Sequence, residues 1–111
     1  MKLGLMKEYK IAILGNEDVI IGFKGLGVDT FGLNEGDAED VLKGVMDENN
    51  YAVVFITEDW ILKLDNILDE YKGRALPAVV AVPTPQGTSG AALQSLKKTV
   101  EQAVGSDILF S

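Results

Sequence analysis

Short apolar runs alternate along the chain with stretches in which apolar residues recur every three or four positions. Three runs, at residues 10–14, 51–56 and 78–82, are too short for helices and rich in Val and Ile. Such runs predict strands that are buried on both faces of a sheet. Residues 28–33 predict a fourth strand that is more polar than the other three.

The intervening stretches have the periodicity of amphipathic helices. Residues 17–27 predict a brief helix, because Gly22 and Gly25 lower its helix propensity. Residues 35–48 predict a longer helix, and a third helix begins after Thr57 and ends at Gly73. The apolar positions of these two helices are Ala38, Val41, Leu42, Val45 and Met46, and Trp60, Ile61, Leu64, Ile67, Leu68 and Tyr71.

Alternation of strands and helices indicates an α/β fold with right-handed crossovers. We expect a small doubly wound, flavodoxin-like or receiver-like sheet of four parallel strands in the order 2-1-3-4. Residues 1–83 form the predicted α/β body, and the Pro-, Gly- and Ser-containing residues 84–90 form a linker. Residues 91–111 form a C-terminal helix and tail.

The predicted C-terminal helix carries a narrow apolar seam in which Leu93, Leu96, Val100 and Ala103 are spaced by three, four and three residues. One interpretation is a helix that packs on its own sheet, and the other is a helix that packs on a helix of another chain. The linker and the tail's balanced charge favour the second. The predicted partner interface comprises Leu93, Leu96, Val100, Ala103, Val104, Ile108, Leu109 and Phe110.

Composition narrows the possible chemistry, because the 111 residues include no histidine and no cysteine. Imidazole acid/base catalysis, thiolate nucleophiles, disulfides and zinc cages are therefore excluded. The net charge of −7 argues against nucleic acid and anionic membrane surfaces as partners. No apolar run is long enough for a membrane span and no signal-peptide core is apparent, so we expect a cytoplasmic protein.

Acidic residues follow two predicted strands, as Glu17-Asp18 and Glu58-Asp59, and Thr84 follows a third. The carboxyl ends of parallel strands meet at one edge, where such folds bind ligands. The arrangement resembles the magnesium pocket of a receiver domain, and a stand-alone signalling domain is the alternative function. The fifth strand with its lysine is missing, however, and acidic residues also suit the first turn of a helix. No phosphate-binding or dinucleotide motif occurs, and a carboxylate-dependent enzyme rests on no motif.

Seven short elements, in order, resemble the F subunit of the V-type and A-type rotary ATPases. They are residues 10–15 (KIAILG), Gly22-Phe23 with Gly27-Val28, Ile56-Thr57-Glu58, Tyr71-Lys72-Gly73, Leu76-Pro77-Ala78 with Val82-Pro83, residues 86–90 (QGTSG), and residues 100–109 (VEQAVGSDIL). No single element is specific to this family, but the seven elements in this order are.

The resemblance implies a non-catalytic rotor subunit of the central stalk, peripheral to the membrane. Its C-terminal helix would pack beside the coiled-coil D subunit and reach into the catalytic hexamer, where it modulates ATP hydrolysis and torque coupling. ATP binds elsewhere in such complexes, so we expect no cofactor, no metal and no small-molecule substrate.

Overall fold

Four parallel strands form the centre of the fold. The computed structural model describes residues 9–83 and 91–105. The strands are β1 (Lys10–Gly15), β2 (Asp29–Gly32), β3 (Tyr51–Thr57) and β4 (Ala78–Val82), and their order in the sheet is β2-β1-β3-β4. All three pairings are parallel, which confirms the predicted fold class and strand order.

Five helices lie in the described part of the chain. They are α1 (Glu17–Ile20), which continues as a 3₁₀ turn at Ile21–Phe23, α2 (Ala38–Asp47), α3 (Glu58–Lys63), α4 (Asp65–Asp69) and α5 (Ala91–Gly105). The prediction of one helix after Thr57 is wrong. The helix is interrupted at Leu64, where φ is −102° and ψ is 15°. Leu64 is buried at this break. Asp65 and Asn66 follow it, and both residue types compete with helical hydrogen bonding.

Alternate side chains of the strands build two separate cores. Ala12 and Leu14 of β1 and Val54 and Ile56 of β3 face α2, α3 and α4. The residues between them in the sequence face α1 and α5 on the other side of the sheet. Both faces of the sheet are therefore covered by helices, as the continuous apolar runs of β1 and β3 predict.

The carboxyl ends of β1 and β3 leave no room for a side chain at Gly15. Gly15, the last residue of β1, has a φ of +149°, and a Cβ atom there would collide with the side chain of Thr57. Only glycine combines that backbone conformation with that close approach. The chain can therefore turn from β1 into α1 directly beside the point where β3 enters α3.

Candidate interface on the C-terminal helix

The apolar side of α5 lies on the sheet of its own chain. Val100 is 2% exposed and belongs to the second core, and the partly buried Leu96 packs against the same cluster. The body's contribution to this core comes from the sheet and from the α1 region: Ile11, Ile13, Phe55 and Val82, and Val19, Ile20 and Phe23. Of the two arrangements that the sequence leaves open, the structure has the one in which α5 covers its own sheet.

Two of the predicted interface residues, Leu96 and Val100, are brought together by this packing. Leu93, Ala103 and Val104 lie within α5, but their side chains fall outside the described part of the structure. Ile108, Leu109 and Phe110 lie outside the described residues, as does the predicted linker at 84–90. Their assignment to a partner interface stays a prediction.

A contact that the sequence pattern does not reveal joins α5 to the turn after α1. The Nζ atom of Lys97 lies 3.3 Å from the position that a Cβ atom on Gly22 would occupy. Gly22, which lowers the helix propensity of its segment, thus also leaves room for the lysine side chain. Beside this contact runs an open groove of about 550 Å³, lined by Leu26, Gln94, Ser95, Lys97, Lys98 and Glu101. The groove exists because α5 lies against the body.

At the carboxyl edge of the sheet, Asp59 takes part in a link between β1 and α3. The side-chain amide of Asn16 donates a hydrogen bond of 2.7 Å to Oδ2 of Asp59. The indole Nε1 of Trp60 donates one of 3.0 Å to Oδ1 of Asn16. Asn16 thereby connects the end of β1 to the first turn of α3 through both ends of its amide.

The other acidic residues of this edge do not form a metal pocket. Glu17, Asp18 and Glu58 are exposed in the first turns of α1 and α3, where a negative charge complements the helix dipole. Within residues 9–83 and 91–105, no group of three or more acidic side chains is placed to hold a metal ion. Thr84 lies outside the described residues. Within the described residues, the magnesium pocket of the receiver-like alternative therefore has no structural support.

In the described ranges, no helix has both the length and the apolar character needed to cross a membrane.

Comparison with known proteins gives one consistent result. Residues 11–100 match the family model described as ATP synthase (F/14-kDa) subunit. A protein of Clostridium botulinum (strain Eklund 17B) is 35% identical over 100 residues, which cover 90% of this chain and 97% of that protein. One of Fusobacterium nucleatum is 34% identical over 102 residues, covering 91% and 96%. One of Clostridium perfringens is 34% identical over 100 residues, covering 90% and 95%. All three bear the name of the F subunit of V-type ATP synthase.

Proposed function

The chain belongs to the family of ATP synthase (F/14-kDa) subunits, and from this premise we propose that it is a non-catalytic central-stalk subunit of a V-type rotary ATPase. The observation that carries the proposal is the extent of the similarity, which runs from β1 into α5 and covers 90% of the chain in the Clostridium botulinum relative. The absence of histidine, cysteine and phosphate-binding motifs from the sequence agrees with this role. In such a complex the nucleotide chemistry belongs to other subunits.

Within that complex, we propose that the apolar seam of α5 binds the coiled-coil D subunit. The seam has the spacing of a coiled-coil contact, and Val100 and Leu96 pack on an apolar surface in the isolated chain. The same two side chains cannot face the body and a partner helix at once. Binding through the seam would therefore exchange the contacts of Leu96 and Val100 with the sheet for contacts with the D subunit.

This exchange gives the three predicted segments separate roles. The body, residues 1–83, anchors the protein on the stalk outside the catalytic hexamer. The linker, residues 84–90, lets the helix leave the sheet. Residues 91–111 then reach toward the hexamer, where they modulate ATP hydrolysis and torque coupling. The protein would be held at the cytoplasmic side of the membrane by the complex rather than by a span of its own.

Mixing the purified protein with the D subunit of the same organism tests the proposed contact. We expect a 1:1 complex that Leu96→Asp weakens by at least about 10-fold, because the helix–helix contact would bury the unpaired carboxylate completely, whereas position 96 is only partly buried on the sheet. Gln102→Asp is the matched control, since it adds the same charge at an exposed position of α5. Equal affinity of the two variants would contradict the seam assignment, and failure of the unaltered protein to bind would contradict the role of the D subunit.

A further inference from the structure

In the described part of the chain, strand β4 forms an uncovered, uncharged edge of the sheet. It lies at one end of the sheet, and in the described part of the chain β3 is the strand with which it pairs. Val79 is 38% exposed and Val80 is 39% exposed, and Ala78 and Ala81 are exposed as well. No charged residue occurs between residues 75 and 83. The unpaired backbone groups of such a free edge can form hydrogen bonds with a further strand. Soluble proteins normally protect these edges with charges, bulges or a covering element.

The exposed surface of β4 is its free edge, which lies in the plane of the sheet. In the parallel register Val79 stands beside Val54 and Val80 beside Phe55, so the two valines lie on opposite faces. Their neighbours in β3 are covered, with Val54 0% and Phe55 9% exposed. A helix missing from one face would leave one valine open and the other covered. Nearly equal exposure on both faces indicates that a neighbouring strand is what β4 lacks.

The chain's own C-terminal tail does not suit this position. α1 and α5 lie on one face of the sheet, and α2, α3 and α4 lie on the other. The crossovers that run in the direction from β2 to β4 use the α2 face. A fifth strand reached through α5 and placed beyond β4 would run in that direction on the opposite face. It would make a left-handed crossover, which parallel sheets almost never contain.

A second copy of the chain is also an unsuitable partner for the β4 edge. Pro77 and Pro83 lack backbone N–H groups, so strand pairing at β4 is limited to the five residues between 78 and 82. A ladder of five residues is about 17 Å long and buries well under the roughly 1,000 Å² of a specific interface, so it cannot hold two free molecules together without the additional contacts that an assembled complex provides. It would also bring together two molecules that each carry a net charge of −7.

We propose that β4 accepts a short extended segment of a neighbouring ATPase subunit as a fifth strand of the sheet. This inference rests on the proposed function, because the assembled complex supplies the segment. The acceptor defines its chemistry: about five residues in length, without charge, and with aliphatic side chains that flank Val79 on one face and Val80 on the other. Backbone hydrogen bonds would provide affinity, and the two valines would select the side chains.

Hydrogen exchange of the β4 amides in the purified protein and in the assembled ATPase tests this strand addition. In the free protein, the amides of β4 that point away from β3 are expected to exchange rapidly. In the assembled complex we expect them to slow by at least about 10-fold, because an added strand bonds to them directly. Unchanged exchange of these amides in an intact complex would overturn the inference and leave the proposed function standing. Failure of the protein to enter any ATPase would overturn both.

A charged variant adds an independent measurement. Val80→Lys places a charge on the edge at a position that is already partly exposed, so the fold should tolerate it. Retention of the protein in the washed complex is expected to fall by at least about 10-fold. Ile21→Lys is the matched control, since Ile21 is 60% exposed and belongs to the turn after α1, on the β1 and β2 side of the sheet. Equal retention of the two variants would contradict strand addition at β4.

Discussion

At the scale of single residues, Tyr51 shows how burial and a hydrogen bond act on one group. Its hydroxyl donates a 2.7 Å hydrogen bond to Oδ2 of Asp29, and Nζ of Lys10 lies 3.7 Å from the same oxygen. Tyr51 is buried at the start of β3, next to β1. Burial, followed by the bond to Asp29, raises the pKa of the Tyr51 hydroxyl well above its ordinary value of 10. The hydroxyl therefore stays protonated in the folded protein at pH values where it ionises in the unfolded chain.

This difference in pKa predicts a specific loss of stability in alkaline solution. Above about pH 10 the unfolded chain releases the Tyr51 proton while the folded protein keeps it, so the free energy of unfolding falls as the pH rises. Below that pH, the contribution of the Tyr51 hydroxyl to the free energy of unfolding is fully present. Tyr51→Phe should cost about 1 kcal/mol at neutral pH and should lose less stability than the unaltered protein above pH 10. Urea unfolding from pH 7 to pH 11 measures both, and parallel curves for the two proteins would contradict the assignment.

The apolar residues of the core could be predicted individually, but the polar links could not. Ala38, Leu42, Val45 and Met46 are buried, as the helical spacing of residues 35–48 indicates. Asn16 and Asp59, by contrast, are 43 positions apart, and the sequence alone assigns Asp59 to a helix dipole or a magnesium site. Their hydrogen bond depends on how closely β1 and β3 approach at the strand ends, which a one-dimensional pattern does not record.

At the scale of elements, α5 should contribute to the stability of the body. Val100 fills the second core together with residues of β1, β3 and α1, so shortening it removes buried apolar area from the whole domain. Val100→Ala is expected to lower the free energy of unfolding by about 1–2 kcal/mol. Gln102→Ala, on the exposed side of the same helix, is expected to leave it unchanged. Equal unfolding midpoints in urea for the two variants would show that α5 does not pack on the body.

The elements and their order follow from the sequence, whereas the position of α5 does not. Doubly buried strands and right-handed crossovers leave few possible arrangements, and the observed order β2-β1-β3-β4 is the predicted one. The spacing of Leu96 and Val100 in the sequence is the same whether they pack on a sheet or on another helix. The break at Leu64 escapes prediction for a different reason: the apolar spacing of the sequence continues through it.

At the scale of the whole molecule, the chain presents two apolar features that an assembly would use differently. In the described part of the chain, Leu96 and Val100 of the α5 seam are covered by the body, whereas the edge of β4 is open. The α5 seam needs a partner helix that competes with the sheet, and the β4 edge needs an extended segment as its partner. Under the proposed function, β4 would hold the protein on the stalk while α5 exchanges its contacts, so the anchor and the exchanging helix would be separate elements.

Affinity capture of the tagged protein from the membranes of its source cell tests membership of the ATPase most directly. If the protein belongs to the central stalk, then the catalytic subunits and the D subunit of a V-type ATPase will co-purify with it in fixed stoichiometry. The capture is performed on membranes in which those ATPase subunits are detected beforehand. Recovery of the tagged protein alone, with the ATPase left behind in the same extract, would contradict the proposed function.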